Sequence, residues 1–384
     1  MARPLSRLKK HRHLYLSIPD GVAIRVWLAE GGFPMIVMDH NHHRSIEGFD
    51  PAWAERDFVD RVRRYIHSDW QAALLISGLY GTGKTTGMYQ LLQDEDALYL
   101  RAEPGERETA EDYFRLVDAA DQPVIIIDEY PRIVGRERVH LDGIIDTWAH
   151  HGKKVILTGD DSAVLESLLL RDLMYRAKRL QVTRSSFSEF CRLYPICLPT
   201  EQDKAYELFL KTGGIFGCYE VNTSAGLAEY VEKAYVDNLN SYIGGGALSA
   251  ADIRAAVYAV LCDAVYDAMD LHMPRRKFSE QARRKLAGMG IRYADKGVRP
   301  EFVYNVGDIL AGIGALVKVP AREWGVPRDT YRMYTVNTSL TWQLLKVLYG
   351  SQLNQKQVLA RLGSVDKIVA SAWQEWTTRW RCDL

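Results

Sequence analysis

The stretch Ala72-Ala73-Leu74-Leu75-Ile76-Ser77-Gly78-Leu79-Tyr80-Gly81-Thr82-Gly83-Lys84-Thr85-Thr86 decides the fold. From Gly78 it fits the pattern G-x-x-x-x-G-K-[ST]. The apolar run before it reads as a buried strand, and Thr85 to Gln93 after it suits a helix. Glycines allow the backbone to curl so that successive N–H groups point at phosphate oxygens. The start of the helix adds partial positive charge at the same place. The expected phosphate cradle is Gly78, Tyr80, Gly81, Thr82, Gly83, Lys84, Thr85 and Thr86. Lys84 is expected to reach the outer phosphates, and the Thr85 hydroxyl to help hold Mg²⁺.

Working outward, Val124-Ile-Ile-Ile-Asp128-Glu129 is a second buried strand, ending in two acids. An acid at the carboxyl end of a central strand can orient a metal, and its neighbour can polarise an attacking water. Asp128 is therefore the expected metal-side acid and Glu129 the expected general base. A third strand, Lys153-Lys-Val-Ile-Leu-Thr158-Gly159-Asp160, ends in polar groups suited to sensing the γ-phosphate or holding water. Thr158 and Asp160 are the candidates there. Gly-Asp-Asp-Ser is also ordinary turn and cap chemistry.

From about 50 to 198 strands and helices alternate, which implies a parallel sheet covered on both faces. The expected elements include helices over Phe58–Trp70, Glu111–Ala119, Leu141–His150 and Val164–Leu173. Expected strands include Ala97–Leu100, Val155–Leu157 and Arg179–Val182. Before this core, Leu14–Ser17 and Ala23–Leu28 read as two strands of a hairpin around Asp20-Gly21. His40, His42 and His43 lack a Cys or carboxylate cluster nearby and read as a solvated loop rather than a metal site. Beyond about 200 the alternation stops. Helices are expected over Lys204–Lys211, Gly226–Leu239 and Ala250–Leu271, with a joint at Gly244-Gly-Gly246. Val303–Val319 and Tyr331–Val336 read as a helix and two strands, followed by a helix at Leu340–Leu348. That order is similar to a winged-helix fold. Gln355 to Trp380 reads as a helical pair or one broken helix, with Trp373, Trp376 and Trp380 on one face.

The 384 residues suffice for roughly two or three domains, and 47% apolar with 26% charged residues is ordinary for a soluble globular chain. Lys+Arg and Asp+Glu both number 49. A balanced chain does not coat nucleic acid by bulk electrostatics. A local exception is Arg275-Arg276-Lys277 with Arg283-Arg284-Lys285, two clusters about two helical turns apart that make DNA a candidate partner. The 5 cysteines are scattered without a C-x-x-C pair, which fits a reduced, cytoplasmic protein. No signal peptide and no run of about 18 apolar residues is present, so no membrane span is expected.

The order of phosphate loop, IIIDEY, VILTGDDS and the run Arg171-Asp-Leu-Met-Tyr-Arg176 to Ser186-Phe187-Ser188-Glu189-Phe190 resembles the AAA-type P-loop ATPases of archaea and bacteria grouped near the STAND signalling ATPases. The resemblance runs over about residues 52 to 345. It implies an α/β fold: a P-loop NTPase parallel sheet, AAA-like, followed by a helical lid and a winged-helix-like α domain. The implied divisions are a lead-in at 1–48, an ATPase core at 49–198, a lid at 199–248, a winged-helix-like domain at 249–345 and a helical tail at 346–384. It also implies ATP over GTP, Mg²⁺, and a downstream arginine acting on the γ-phosphate in cis or from a neighbouring subunit, with Arg176 the best match and Arg171 the runner-up. Gly213-Gly214 resembles the family's lid motif, with Phe216 in place of its Pro. Asp160 stands where the family usually has Ser.

Three functions follow as expectations. The first is an ATP-driven conformational switch, in which ATP and ADP are the ligands and the C-terminal helices serve self-association or a protein partner. The second is a DNA-handling ATPase, a remodeller or mobile-element helper. The third is a small-molecule kinase, which the paired acids and the long helical C-terminus disfavour.

Overall fold

A computed structural model of the protein describes residues 13–17, 23–28, 34–39, 50, 52–102, 109–133, 135–160, 165, 168, 177–193, 200–212, 224–239, 249–288, 300–320 and 331–379. The chain forms two compact units. One is built from Met1–Ser77 and Gly83–Val182, the other from Gly78–Thr82 and Thr183–Asp383.

Among the described residues, the first unit carries an eight-stranded sheet. Its strands are β1 (His13–Ser17), β2 (Ala23–Leu28), β3 (Pro34–Asp39), β4 (Leu74–Gly78), β5 (Ala97–Arg101), β6 (Val124–Asp128), β7 (Lys154–Gly159) and β8 (Lys178–Val182). Their order is β1-β2-β3-β5-β6-β7-β4-β8. Strands β5, β6, β7 and β4 run parallel, with Ile126 opposite Ile156 and Ile76 opposite Thr158. Strands β1, β2 and β3 form an antiparallel extension that joins through β3 beside β5. The hairpin of β1 and β2 was expected; β3 was not.

Both faces of the parallel strands are buried, so their sequences read as unbroken apolar runs rather than alternating ones. The two-residue period still sorts the side chains. Leu75, Leu98, Leu100, Ile125, Ile127 and Leu157 lie with Tyr113 and Val117 of α3 (Ala110–Asp118) and Leu141, Ile145 and Trp148 of α4 (Gly135–His150). Leu74, Ile76, Tyr99, Ile126 and Ile156 lie with Phe58, Val59 and Val62 of α1 (Asp57–Ile66) and Met88 and Leu91 of α2 (Lys84–Leu91). Gly87 lets α1 and α2 meet closely: a Cβ there would lie 2.4 Å from Phe58 Cζ. Helix α3 starts on a reciprocal cap between Thr109 and Asp112.

In the second unit, helices α5 (Phe187–Leu193) and α6 (Gln202–Thr212) share an aromatic cluster of Phe187, Phe190, Tyr206 and Phe209. Arg184 ties it together, pairing with Asp366 and lying 5.4 Å from the Phe209 ring centre. Helix α7 (Ser224–Val231) runs into a π-helical turn at Glu232–Val236. Helix α8 (Ala250–Met269), started by a Ser249–Asp252 capping box, is the central element. It packs with α9 (Arg275–Ala287) and α10 (Pro300–Gly312). Strands β9 (Leu316–Pro320) and β10 (Tyr331–Thr335) follow as an antiparallel pair, then α11 (Thr338–Tyr349) and α12 (Gln355–Arg379). The last is one helix over that range. Gly213, Gly214, Phe216, the Gly244–Gly246 joint, His40, His42, His43 and the side chains of Trp373, Trp376 and Trp380 lie outside the described residues. Among the described residues, no helix is long and apolar enough to cross a membrane.

Candidate nucleotide site

Strand order positions the site. The loop strand β4 and the acid strand β6 are not neighbours, because β7 lies between them. The carboxyl ends of three parallel strands therefore converge, where ligands bind in open α/β sheets. The β4 end leads into Lys84 and Thr85, the β6 end supplies Asp128 and Glu129, and the β7 end supplies Thr158 and Asp160.

The loop from β4 to α2 is shaped by two left-handed glycines, Gly81 (φ 78°) and Gly83 (φ 84°). A side chain at either would be strained. Thr82 is buried, and its hydroxyl donates to the Leu79 carbonyl at 2.8 Å. Tyr80 is 38% exposed, and the Lys233 ammonium lies 5.3 Å from its ring centre. Helix α2 starts at Gly83 without a side-chain cap. The start of a helix is where backbone N–H groups and the helix dipole favour an anion. Thr86 sits half-buried in its first turn.

Asp128 is fully buried and accepts four hydrogen bonds. Its Oδ2 accepts from the Thr85 hydroxyl at 2.8 Å and from the Tyr99 hydroxyl at 2.7 Å. Its Oδ1 accepts from the Thr158 hydroxyl and, at 3.1 Å, from the Glu129 amide. A buried carboxylate needs such partners to avoid a heavy desolvation cost. Thr158 is thereby engaged with the acid strand. Tyr99 is the residue that sequence reading missed: in the run Ala97–Leu100 it looks like one more core side chain.

Glu129 follows in the left-handed region, φ 57° and ψ 31°, at the entry to a short 3₁₀ turn, Tyr130–Arg132. Such a conformation is uncommon for a non-glycine residue and clusters at functional sites. Burial, then the charges of Asp160 and Asp128, push the Glu129 carboxyl up to about 7, against the opposing pull of Arg132 and Lys84. Arg132 Nε stands 3.3 Å from its Oε2. Turn and β7 fit closely, since a Cβ on Gly159 would lie 2.2 Å from Pro131 Cδ.

Lys84 is 5% exposed, and its ammonium pairs with the carboxylate of Asp160. Among the described residues no group of three or more His, Cys, Asp or Glu could hold a metal. Mg²⁺ commonly takes one or two carboxylates and completes its shell with water and substrate phosphate. The donor set of Thr85 and Asp128 fits such an ion. Arg171 and Arg176 lie outside the described residues.

The basic clusters fall on α9, where Phe278, Ala282 and Leu286 are buried. Arg275 is committed to Asp263, at 3.2 Å, and to Asp267. Arg276, 92% exposed, reaches Glu280 at 3.4 Å. Lys277, Arg283, Arg284 and Lys285 are exposed.

The glycine-turned loop, the buried lysine and the acid strand are consistent with an α/β core of the P-loop NTPase kind. Residues 71–191 match the family model described as an AAA domain, which supports an AAA-type P-loop ATPase in that part of the chain. No curated protein matches the chain.

Proposed function

We propose that this protein binds ATP with Mg²⁺, hydrolyses it to ADP and phosphate, and uses the cycle as a conformational switch of the STAND-related kind. The observation that carries the reading is the convergence of Lys84, Thr85, Asp128 and Glu129 at adjoining strand ends. In this reading the loop amides and Lys84 take the phosphates, and Thr85 and Asp128 hold the metal. When bound, Mg²⁺ would neutralise negative charge on the phosphates. Glu129 accepts a proton from water as the water oxygen bonds to the γ-phosphorus. The bond to the bridging oxygen breaks, and ADP leaves with the electron pair. Arg176 or Arg171 stabilises the charge that develops. The reading divides the chain into an ATPase core at 49–198, a helical lid at 199–248 and a winged-helix-like domain at 249–345, working in the cytoplasm. Binding of a fluorescent ATP analogue to wild type and K84A tests it. Wild type is expected to bind and K84A to lose at least about tenfold in affinity; equal binding, or none in wild type, contradicts it.

A DNA-handling role is a second reading, favoured by the exposed cations of α9 beside the helix–hairpin order α10-β9-β10. Helix α10 itself presents Tyr304, Asn305 and Asp308, with Asp308 paired to Lys318. Phosphate contact therefore falls to α9. Replacing Arg276, Lys277, Arg284 and Lys285 together should remove DNA affinity and flatten its salt dependence. No affinity in wild type eliminates this reading.

A further inference from the structure

We infer that Asp160 is an anionic gate on the nucleotide site, competing with the outer phosphates of a nucleoside triphosphate for Lys84. The inference rests on the nucleotide reading above and adds a regulatory residue to it.

The geometry comes from β7. That strand lies between β4 and β6, so the residue just past its end faces the start of α2 on one side and the acid strand on the other. Asp160 is that residue. Its carboxylate contacts the Lys84 ammonium and, with Asp128, is close enough to raise the Glu129 carboxyl. Lys84 is nearly enclosed at 5% exposure, while Asp160 keeps 21%. An ammonium so enclosed needs an anion beside it, because burial without one is costly. Asp160 meets that need and stabilises the lysine's position. The same pairing opposes ligand, since a phosphate oxygen must displace the carboxylate to reach Lys84. The displaced carboxylate would then face an incoming γ-phosphate, and like charges repel strongly where water is scarce. Asp160 is the more exposed partner, so it is the one positioned to swing away. Triphosphate affinity is thereby held below what the loop and lysine alone would give.

The test measures affinity of Mg-ATP and of a non-hydrolysable analogue for wild type, D160N, D160S, D160E, K84A and the double variant K84A/D160N. D160N and D160S are expected to bind about tenfold more tightly than wild type, a change of 1.4 kcal/mol. D160E, which keeps the charge, should stay near wild type, and adding D160N to K84A should give no gain. The thermal midpoints of D160N and D160S without nucleotide should fall, because Lys84 loses its carboxylate contact. D160N and D160S binding no tighter than wild type, while K84A binds less, overturns the gate and leaves the nucleotide site standing. Wild type that binds no nucleotide, and does not differ from K84A, overturns the nucleotide reading itself.

Discussion

Tyr99, from β5, donates its hydroxyl to Oδ2 of Asp128 at 2.7 Å, and both residues are fully buried. The same Oδ2 accepts from Thr85. Tyr99 therefore holds the acid in the orientation that faces the first turn of α2. Burial and the charge of Asp128 raise the Tyr99 phenol well above its usual range, so it stays a donor at any working pH.

Y99F is expected to leave the fold intact and to loosen Asp128. Outer partners of metal-holding groups are typically worth about 10- to 100-fold. Isothermal titration at varied Mg²⁺ should show a higher Mg²⁺ requirement for ATP binding, with binding in EDTA unchanged. An unaltered Mg²⁺ dependence would remove Tyr99 from the site.

In the proposed hydrolysis the Glu129 carboxyl, pushed up to about 7, sets a pH profile. A general base must be ionised, so kcat/KM should rise through about pH 7 and level off above it. Stability runs the other way. The folded state holds a proton that the unfolded chain gives up near 4.5, so this group's contribution to stability declines as pH rises from about 4.5 to about 7. Denaturant unfolding at several pH values should show that slope, and E129Q should lack it.

At the end of β7, G159A forces a methyl against the rigid Pro131 ring. Overpacking of this kind costs about 1–3 kcal/mol. A lowered thermal midpoint is expected. A midpoint equal to wild type would mean that the turn is looser than its geometry.

Asp267 joins three elements of the second unit. It lies on α8, accepts from the Met333 amide on β10 at 2.9 Å and pairs with Arg275 on α9. D267A should destabilise the protein by about 1–3 kcal/mol, chiefly from the stranded amide. Arg275, being 44% exposed, can be rehydrated. Equilibrium unfolding reads the loss.

Much of the core was legible because buried parallel strands are written as short apolar runs and phosphate loops as glycines in a fixed frame. Val124–Ile127 and the loop before Lys84 carry those signals locally. What stayed hidden depends on pairings across the sheet. Nothing along the chain says that β7 separates β4 from β6, so the contacts of Thr158 and Asp160 were open. Strand β3 begins with Pro34 and gains its place by pairing with β2 on one side and β5 on the other. Tyr99 hides because a core tyrosine and an acid-positioning tyrosine share one letter. On α9 the sequence shows six cations, whereas only the fold shows Arg275 turned toward Asp263 and Asp267.

The most direct test of the central claim compares ATP binding and phosphate release in wild type and E129Q. Binding within a few-fold of wild type, with turnover reduced at least about 100-fold, is the predicted result for E129Q. Phosphate release at the wild-type rate by E129Q would contradict the account.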